Sequence, residues 1–448
     1  MTRRSALRLL AGFLTVSLCS ACSAPIFSHA PVLRARPKLT LLAAHPGSSA
    51  IKTPEPAWLA PLRAAVDHLN ATQQDQLGAT LDLHVFSADQ APGSVTLDIT
   101  GRVKTVNFTA YTNALAAAVT EQADLVVTAE ESYFGALSNL DHASVLKILD
   151  AYLARERPNQ QVAYYPGALA LGRISGRQVA LPLQVQPWLM RFDAAMFRAV
   201  GLTAPGPDKP WTWQQLIDAQ SKLVQRSSTT GANLRWACRV ESLPVEAPIW
   251  QAGGDVVNGQ NAVVLDQPAA IQGVTFWRDL ETVYHLDASK TFPPSFKRDP
   301  ARPYALPTYH GGFAATAFQT LAGYGYSPAE IAQHWEEGLG FAPIPAGAPG
   351  GDVPVTKLAL QLAGAVAVRS RQPELVFSAL RALEQALGPA LLLSAIRPLA
   401  MQRLKDGSLD ARLASALGWG MAVGRASGAD VLGTAVLIGL DEAFPGTY

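Results

Sequence analysis

Two adjacent carboxylates, Glu130 and Glu131, are the first side chains of this chain that could do chemistry. Glycoside hydrolysis needs two carboxylates that face each other across the scissile bond. Neighbouring residues of an extended segment point in different directions, so this pair lacks that arrangement. We interpret the pair as part of a solvated loop and keep a secreted glycoside hydrolase as the alternative.

Motifs for other chemistry are missing from the sequence. There is no GxSxG, HExxH or GxxxxGK[ST] pattern, and the one CxxC spacing, Cys19–Cys22, lies in an N-terminal segment that resembles an export signal; these are the motifs of common hydrolases, metal sites and phosphate loops. Ser144 and Lys147 form an SxxK pattern without its SDN and KTG partners, so we regard it as a coincidence. The sequence therefore predicts no catalytic residue, no metal site and no cofactor.

Aromatic and amide side chains offer a different chemistry, the binding of a sugar. Sugars stack their C–H faces on flat rings, while their hydroxyl groups need polar side chains at the rim of a pocket. Gln184 and Gln186 alternate with apolar residues and should share one face of an extended strand. Trp188 follows that strand, where its ring could look into a cleft, although a position in a hydrophobic core is equally open.

Two further aromatic segments precede paired glycines, which permit close approach of the backbone to a ligand. Trp250 stands before Gly253 and Gly254, and Tyr309 and His310 precede Gly311–Gly312. For Trp250 a core position is the competing interpretation, and His310 is as compatible with an ordinary loop histidine. We take all three aromatic residues as candidate ligand contacts.

Strands and helices are predicted to alternate through the first half of the chain. The predicted strands and helices are Lys38–Ala44 (strand), Pro56–Leu69 (helix), Leu81–Phe86 (strand), Asn113–Ala123 (helix) and Asp124–Thr128 (strand). Such alternation favours a mostly parallel sheet with helices on both faces. Ligands bind beyond the carboxyl ends of strands in these sheets, which directs attention to His45–Ser49 and Ala129–Tyr133.

Residues Leu181–Leu223 predict a passage from one lobe to another. An apolar run with Pro182 crosses as an extended strand. Phe192, Met196 and Phe197 should then share a helical face, and Thr212 should cap the next helix. Further on, Leu358–Val368 is predicted to be the returning strand and Pro373–Leu387 the helix after it.

These elements resemble the extracellular solute-binding proteins of ABC importers, in particular the maltodextrin-binding type. The resemblance rests on MRFDAAMFRAVGL (Met190–Leu202), PWTWQQLIDAQSKL (Pro210–Leu223), the loop Ala247–Asn261 and FAPIPAGAPGG (Phe341–Gly351). It implies an α/β, two-lobed periplasmic-binding-protein-like fold of type II, with crossing strands as the hinge. Lobe 1 would comprise residues 38–183 and 357–392, and lobe 2 residues 188–352 and 396–448.

The same resemblance implies a function and some of its residues. Glu131 and Gln186 match positions at which this family contacts its ligand, and Arg397 lies in a region that often returns to the cleft. The expected function is capture of a small solute, with a carbohydrate preferred, and its delivery to an ABC permease. A solute sensor of the same fold is an alternative. The candidate loops hold no basic cluster beyond Arg397, which favours a neutral ligand.

The N-terminus has the layout of an export signal, residues 1–24, followed by a proline-rich tether, 25–37. Arg3 and Arg4 resemble a twin-arginine signal, and Cys22 resembles the lipidated cysteine of a lipobox. The protein is expected to be exported, by the Sec or twin-arginine route, and anchored to the outer face of the membrane or periplasmic. With 36 basic and 35 acidic residues it has no footprint of nucleic-acid binding, and we expect a monomer.

Overall fold

Strands and helices alternate through the part of the chain that the computed structural model describes. It describes residues 36–46, 55–93, 95–97, 103–130, 136–156, 162–165, 167–226, 233–240, 243–258, 262–286, 306–307, 313–321, 327–337, 339–345, 347 and 354–426. The strands are β1 Lys38–Ala44, β2 Thr80–Phe86, β3 Val95–Leu97, β4 Val103–Val106, β5 Leu125–Ala129, β6 Arg173–Ile174, β7 Arg177–Gln178, β8 Leu181–Pro187, β9 Leu189–Phe192, β10 Gln225–Arg226, β11 Asn233–Arg239, β12 Leu306–Pro307, β13 Phe313–Gln319, β14 Gly340–Ala342, β15 Thr356–Val366 and β16 Gly424–Arg425.

The helices cover the faces of the sheets. They are α1 Leu59–Thr72, α2 Gln74–Leu77, α3 Phe108–Gln122, α4 Ala136–His142, α5 Asp150–Ala154, α6 Ala194–Ala199, α7 Trp213–Leu223, α8 Glu246–Gln251, α9 Pro268–Thr282, α10 Pro328–His334, α11 Pro373–Leu387, α12 Arg397–Lys405 and α13 Ala411–Val423. Within the described residues, none of them is both long enough and apolar enough to cross a membrane.

The first sheet has the strand order β16-β15-β5-β1-β2, with β8 also paired to β15. β1 pairs in parallel with β2 and β5, as the sequence predicts, whereas β15 runs antiparallel to β5 and β8. Leu39 and Leu41 of β1 pack on one face, and Leu42 and Ala44 on the other. Helices α1 and α11 contribute to the first core and α3 and α4 to the second. This lobe therefore has three layers.

The second sheet has the order β10-β11-β13-β9-β14, with β12 also paired to β13. Only the β11–β13 pair is parallel among the described pairs, so parallel pairing predominates in the first lobe alone. Its core contains Phe192, Phe197 and Phe318, and the ring of Trp213 stacks on Phe276 with centroids 4.0 Å apart. The sheet thus has its own hydrophobic core.

Two strands connect the lobes and pair with each other. β8 ends at Pro187 in the first sheet, and β9 begins at Leu189 in the second. β15 returns alongside β8, and the pairing skips Gln361, because Leu360 pairs with Val185 and Leu362 with Gln184. Gln361 is therefore the extra residue of a β-bulge.

The helix after the crossing begins later than the sequence predicts. Phe192 lies in β9, opposite Thr316, so its assignment to a helix is wrong. The reason is Asp193, whose carboxylate accepts the backbone N–H of Met196 at 3.0 Å and so caps α6. Phe192 still contacts Phe197, with ring centroids 4.9 Å apart. The cap predicted at Thr212 is confirmed, since its hydroxyl accepts the N–H of Gln215.

Candidate functional site

A cavity of about 560 Å³ lies where the crossing strands meet the facing edges of both lobes. Its volume falls within the roughly 300–1,000 Å³ range of small-molecule sites. We call it the cleft cavity. Its described lining residues are Pro56, Ala57, Trp58, Pro61, Ala129, Gln184, Gln186, Leu321, Ser327, Pro328, Glu330, Gln361, Ala390, Leu391, Leu392 and Arg403.

Three amide side chains form one part of the cleft cavity wall. Gln184 and Gln186 project from alternate positions of β8, as their spacing predicts, and Gln361 comes from the bulge of β15. Gln186 is only 2% exposed and therefore lies at the deep end. Amides both donate and accept hydrogen bonds, so this wall can bind hydroxyl groups in either role.

An aromatic ring forms a second part of the wall. Trp58 immediately precedes α1 and is half-buried, and its ring meets His45 edge-on with centroids 6.4 Å apart. His45 directly follows β1, and burial lowers the pKa of its imidazole. Ala129, the last residue of β5, lines the same cavity. The carboxyl ends of two parallel strands therefore lie beside the cavity, as the sheet rule predicts.

The second lobe contributes the polar residues of the opposite wall. Ser327 and Glu330 form the capping box of α10, in which Glu330 accepts the Ser327 backbone N–H at 2.8 Å and its hydroxyl at 2.7 Å. These hydrogen bonds, from the backbone N–H first, hold the pKa of Glu330 below its usual value. Arg403 extends from α12. Arg403 and Glu330 are the charged side chains among the described lining residues.

A second cavity, of about 600 Å³, lies between α12 and α13. We call it the helix cavity. Its described lining residues are Tyr165, Arg397, Met401, Leu404, Lys405, Ala411, Ala414, Ser415, Gly418 and Ala422. Arg397 and Lys405 provide positive charge, but the rest of the wall is mainly apolar and no residue is shared with the cleft cavity.

Arg397 thus lies away from the cleft cavity, in the helix cavity, with its guanidinium 6.0 Å from the centre of the Tyr165 ring. It opens α12, on the same face as Met401 and Lys405 at four-residue spacing. Arg403 lies six residues further on and about 120° around that helix, because each residue turns it by about 100°. The geometry of α12 therefore presents its two arginines to different cavities.

Two predicted tryptophans do not line the cleft cavity either. Trp188 is half-buried against the core of the second lobe, and its indole N–H is buried without an acceptor among the described residues. Trp250 is 3% exposed and donates its indole N–H to Asp255 at 3.1 Å, while Arg425 lies over its ring. Their roles as ligand contacts stay predictions, with these placements favouring the core interpretation.

Four other predicted residues lie outside the described part of the chain. They are Glu131, Tyr309, His310 and the lipidation candidate Cys22. Their roles therefore stay predictions.

Glu130 is described and does not line the cleft cavity, and its interpretation as part of a solvated loop is wrong because the side chain is buried. Its buried carboxylate accepts the backbone N–H of Leu137 at 2.7 Å, and burial raises its pKa to about 8. The described wall of the cleft cavity has one carboxylate, Glu330, whereas glycoside hydrolysis needs a facing pair. Nor does any cluster of metal-ligating side chains occur within the described ranges.

Three of the lining residues that the sequence analysis missed carry the chemistry of the cavity, namely Trp58, Gln361 and Arg403. Gln361 interrupts an otherwise apolar strand, which is a usable pattern. Trp58 stands where a helix begins after the loop that follows β1, the position that the sheet rule indicates. No sequence pattern distinguishes Arg403, because the face of α12 that meets the cleft cavity is known only when the packing of this helix is known.

Solved structures show what this architecture is similar to. The cyclic alpha-maltosyl-1,6-maltose binding protein of Arthrobacter globiformis matches with a TM-score of 0.60 at 16% identity, over 90% of this chain and 92% of that chain. The sugar-binding protein of Xanthomonas citri matches with a TM-score of 0.56 at 13% identity, over 89% of both chains. An ABC substrate-binding protein of Listeria monocytogenes, in complex with cycloalternan, matches with a TM-score of 0.52 at 11% identity, over 88% of both chains.

Neither a protein-family model nor a curated protein sequence matches this chain. At these identities the structural matches define the fold. The chain has the type II periplasmic-binding-protein fold, with two α/β lobes, crossing strands as the hinge and a cleft cavity between the lobes.

Proposed function

We propose that this protein is the substrate-binding component of an ABC uptake system and captures a carbohydrate in its cleft cavity. The observation that carries the proposal is the convergence of Gln184, Gln186, Gln361 and Trp58 on one cavity at the crossing strands. A sugar requires an aromatic ring on which its C–H face can stack and polar groups that bind its hydroxyl groups. Trp58 offers the ring and the three glutamines offer the amides. The three structural neighbours reported above bind sugars, which supports the same ligand class.

Capture would follow from closure of the lobes about β8 and β15. Both lobes line the cleft cavity, with Trp58 and Gln361 on one side and Ser327 and Arg403 on the other. A solute that contacts both walls stabilises the closed form, because only there are all contacts made together. Binding therefore shifts a conformational population, and no bond of the solute is broken.

The closed complex would deliver its solute to a membrane permease. Export through the signal of residues 1–24 and a lipid anchor at Cys22 would place the protein on the side from which the solute arrives. We propose a monomer with lobe 1 at residues 38–183 and 357–392 and lobe 2 at 188–352 and 396–448. A Cys22→Ser variant that stays in the membrane fraction would contradict the anchor.

A thermal-shift screen of neutral and acidic sugars, amino acids and polyamines on the mature domain tests the ligand class. A ligand that binds only the folded state raises Tm by mass action. We expect a sugar to raise Tm of the wild type and to lose this effect in a Gln184→Ala, Gln361→Ala double variant. Small-angle scattering should show a smaller radius of gyration with that sugar. Stabilisation by amino acids or polyamines, and by no sugar, would contradict the proposal.

A solute sensor of the same fold remains a second candidate, because it would use the same cleft and the same closure. Reconstitution separates the two functions. Uptake of labelled sugar into proteoliposomes that contain the cognate permease requires an importer component, and a sensor would bind the sugar without supporting uptake.

A further inference from the structure

Arg403 is a cation that lines the cleft cavity. Its guanidinium has N–H donors that bind no acceptor among the described residues. Its Nε–H is buried and has no acceptor among the described residues. Its Nη1 lies 3.6 Å from Oδ2 of Asp406, which is too long for a hydrogen bond. The side chain is 32% exposed, so part of the guanidinium remains accessible from the cavity that it lines.

Asp406 approaches Arg403 only loosely, because its Oδ1 binds the turn that follows α12 while its Oδ2 lies 3.6 Å from the guanidinium. It accepts the Ser408 hydroxyl and, at 2.8 Å, the Ser408 backbone N–H. These hydrogen bonds, from the hydroxyl first, hold the pKa of Asp406 below its usual value, and Arg403 contributes less. Its main partner is therefore Ser408.

Glu330, the other charged residue of the described wall, is also engaged locally. Its carboxylate accepts two hydrogen bonds from Ser327 and lies in solvent at the start of α10. Water and salt screen such an exposed charge more strongly than a partly buried one. No hydrogen bond joins Glu330 to Arg403 among the described contacts, so the guanidinium keeps N–H donors for a solute.

We infer that Arg403 is a specificity-determining residue that binds an oxyanion of the solute. The cleft cavity would then prefer a sugar that carries a carboxylate or phosphate group. A guanidinium offers parallel N–H donors that match two oxygens of either group, whereas a single sugar hydroxyl fills only one of them. The inference rests on the proposed function, since Trp58 and the three glutamines bind the rest of the sugar.

Isothermal titration with matched ligand pairs tests the inference. The pairs are glucose against glucuronate, which differ by a carboxylate at C6, and glucose against glucose 1-phosphate, which differ by a phosphate. We expect the wild type to bind the acidic member of at least one pair tenfold or more tightly than the neutral member. Raising the salt concentration should weaken the acidic ligand alone.

The Arg403→Gln variant should bind the two members of that pair equally, because the parallel N–H donors that match an oxyanion are removed. Arg397→Gln is the matched control, because it removes a cation from the same helix at the helix cavity, and it should keep the acidic preference. Circular dichroism at the titration temperature should show that both variants are folded.

The outcomes separate the inference from the proposed function. Equal binding of both members by the wild type, or an acidic preference that survives in Arg403→Gln, overturns the role of Arg403 and leaves sugar capture intact. If no sugar binds, neutral or acidic, the proposed function fails and the inference fails with it. If the carboxylate and phosphate pairs differ, the better pair identifies the oxyanion.

Discussion

The cleft cavity and the helix cavity have nearly equal volumes, about 560 and 600 Å³, but very different walls. The cleft cavity is built from the crossing strands and from helix ends of both lobes, which bring amides, an aromatic ring and a guanidinium together. The helix cavity lies between two consecutive helices, whose facing residues are mostly small or apolar. Volume therefore does not identify a binding site here, whereas polar groups from separate elements do.

Filling each cavity with one bulky side chain should give the largest contrast. Gln184→Trp should occupy the cleft cavity and weaken binding of the best sugar at least about 100-fold, or about 2.7 kcal/mol. Ser415→Trp should fill the helix cavity and leave that affinity unchanged within twofold. Isothermal titration calorimetry measures the sugar affinity of both variants. If Ser415→Trp weakened binding more than Gln184→Trp, the ligand would be assigned to the helix cavity.

A second prediction concerns pH, because the buried acid Glu130 directly follows Ala129, a lining residue of the cleft cavity. The pKa of Glu130 is about 8 in the folded protein and about 4.3 when unfolded. Between these values the folded state holds one proton more, so rising pH lowers stability. Glu130→Gln, which can still accept the Leu137 N–H, should be about 3.5 kcal/mol more stable relative to wild type at pH 8 than at pH 5.

Urea titrations of both proteins at these two pH values measure the effect of Glu130. Parallel pH profiles of the wild type and the variant would show that Glu130 ionises normally in the folded state.

Removing the aromatic wall should have an intermediate effect. Trp58→Ala deletes the ring that we assign to stacking and should weaken binding of the best sugar about tenfold, or about 1.4 kcal/mol. Met401→Ala deletes a side chain of comparable reach in the helix cavity and serves as its control. If Met401→Ala weakens binding as much as Trp58→Ala, then general destabilisation explains both.

Arg397→Ala should have the smallest effect. Its guanidinium is exposed and contacts the Tyr165 ring at 6.0 Å, so we expect a loss of about 0.5 kcal/mol in stability and no change in affinity. A clear loss of sugar affinity would restore the role that family resemblance implies for this residue. Thermal unfolding and calorimetry on the same sample separate the two effects.

The same contrast explains which parts of the molecule could be predicted from sequence. Strands such as β1 and β5 are predominantly apolar, and the alternation of Gln184 and Gln186 fixes the common face of these two side chains. The N-cap of α7, Thr212, is also indicated by the sequence around it. These features depend on neighbours along the chain, and all of them were predicted.

Other features depend on how distant segments pack. The assignment of Arg397 and Arg403 to different cavities follows from the rotation of α12 against the second lobe, which no local pattern encodes. Trp188 and Trp250 are of a residue type that is typical of sugar sites, but their rings pack against or within the core of the second lobe. An aromatic residue therefore predicts a binding surface only where its element is known to leave a face open.

The bulge at Gln361 has a consequence for how this binding site could change over evolution. Because the pairing of β15 with β8 skips Gln361, its side chain reaches the cleft cavity while the flanking Leu360 and Leu362 keep their places in the ladder. Selection could thus exchange Gln361 for a shorter or charged residue and alter the accepted solute without repacking either core. The bulge makes ligand preference adjustable independently of the crossing strands that move the lobes.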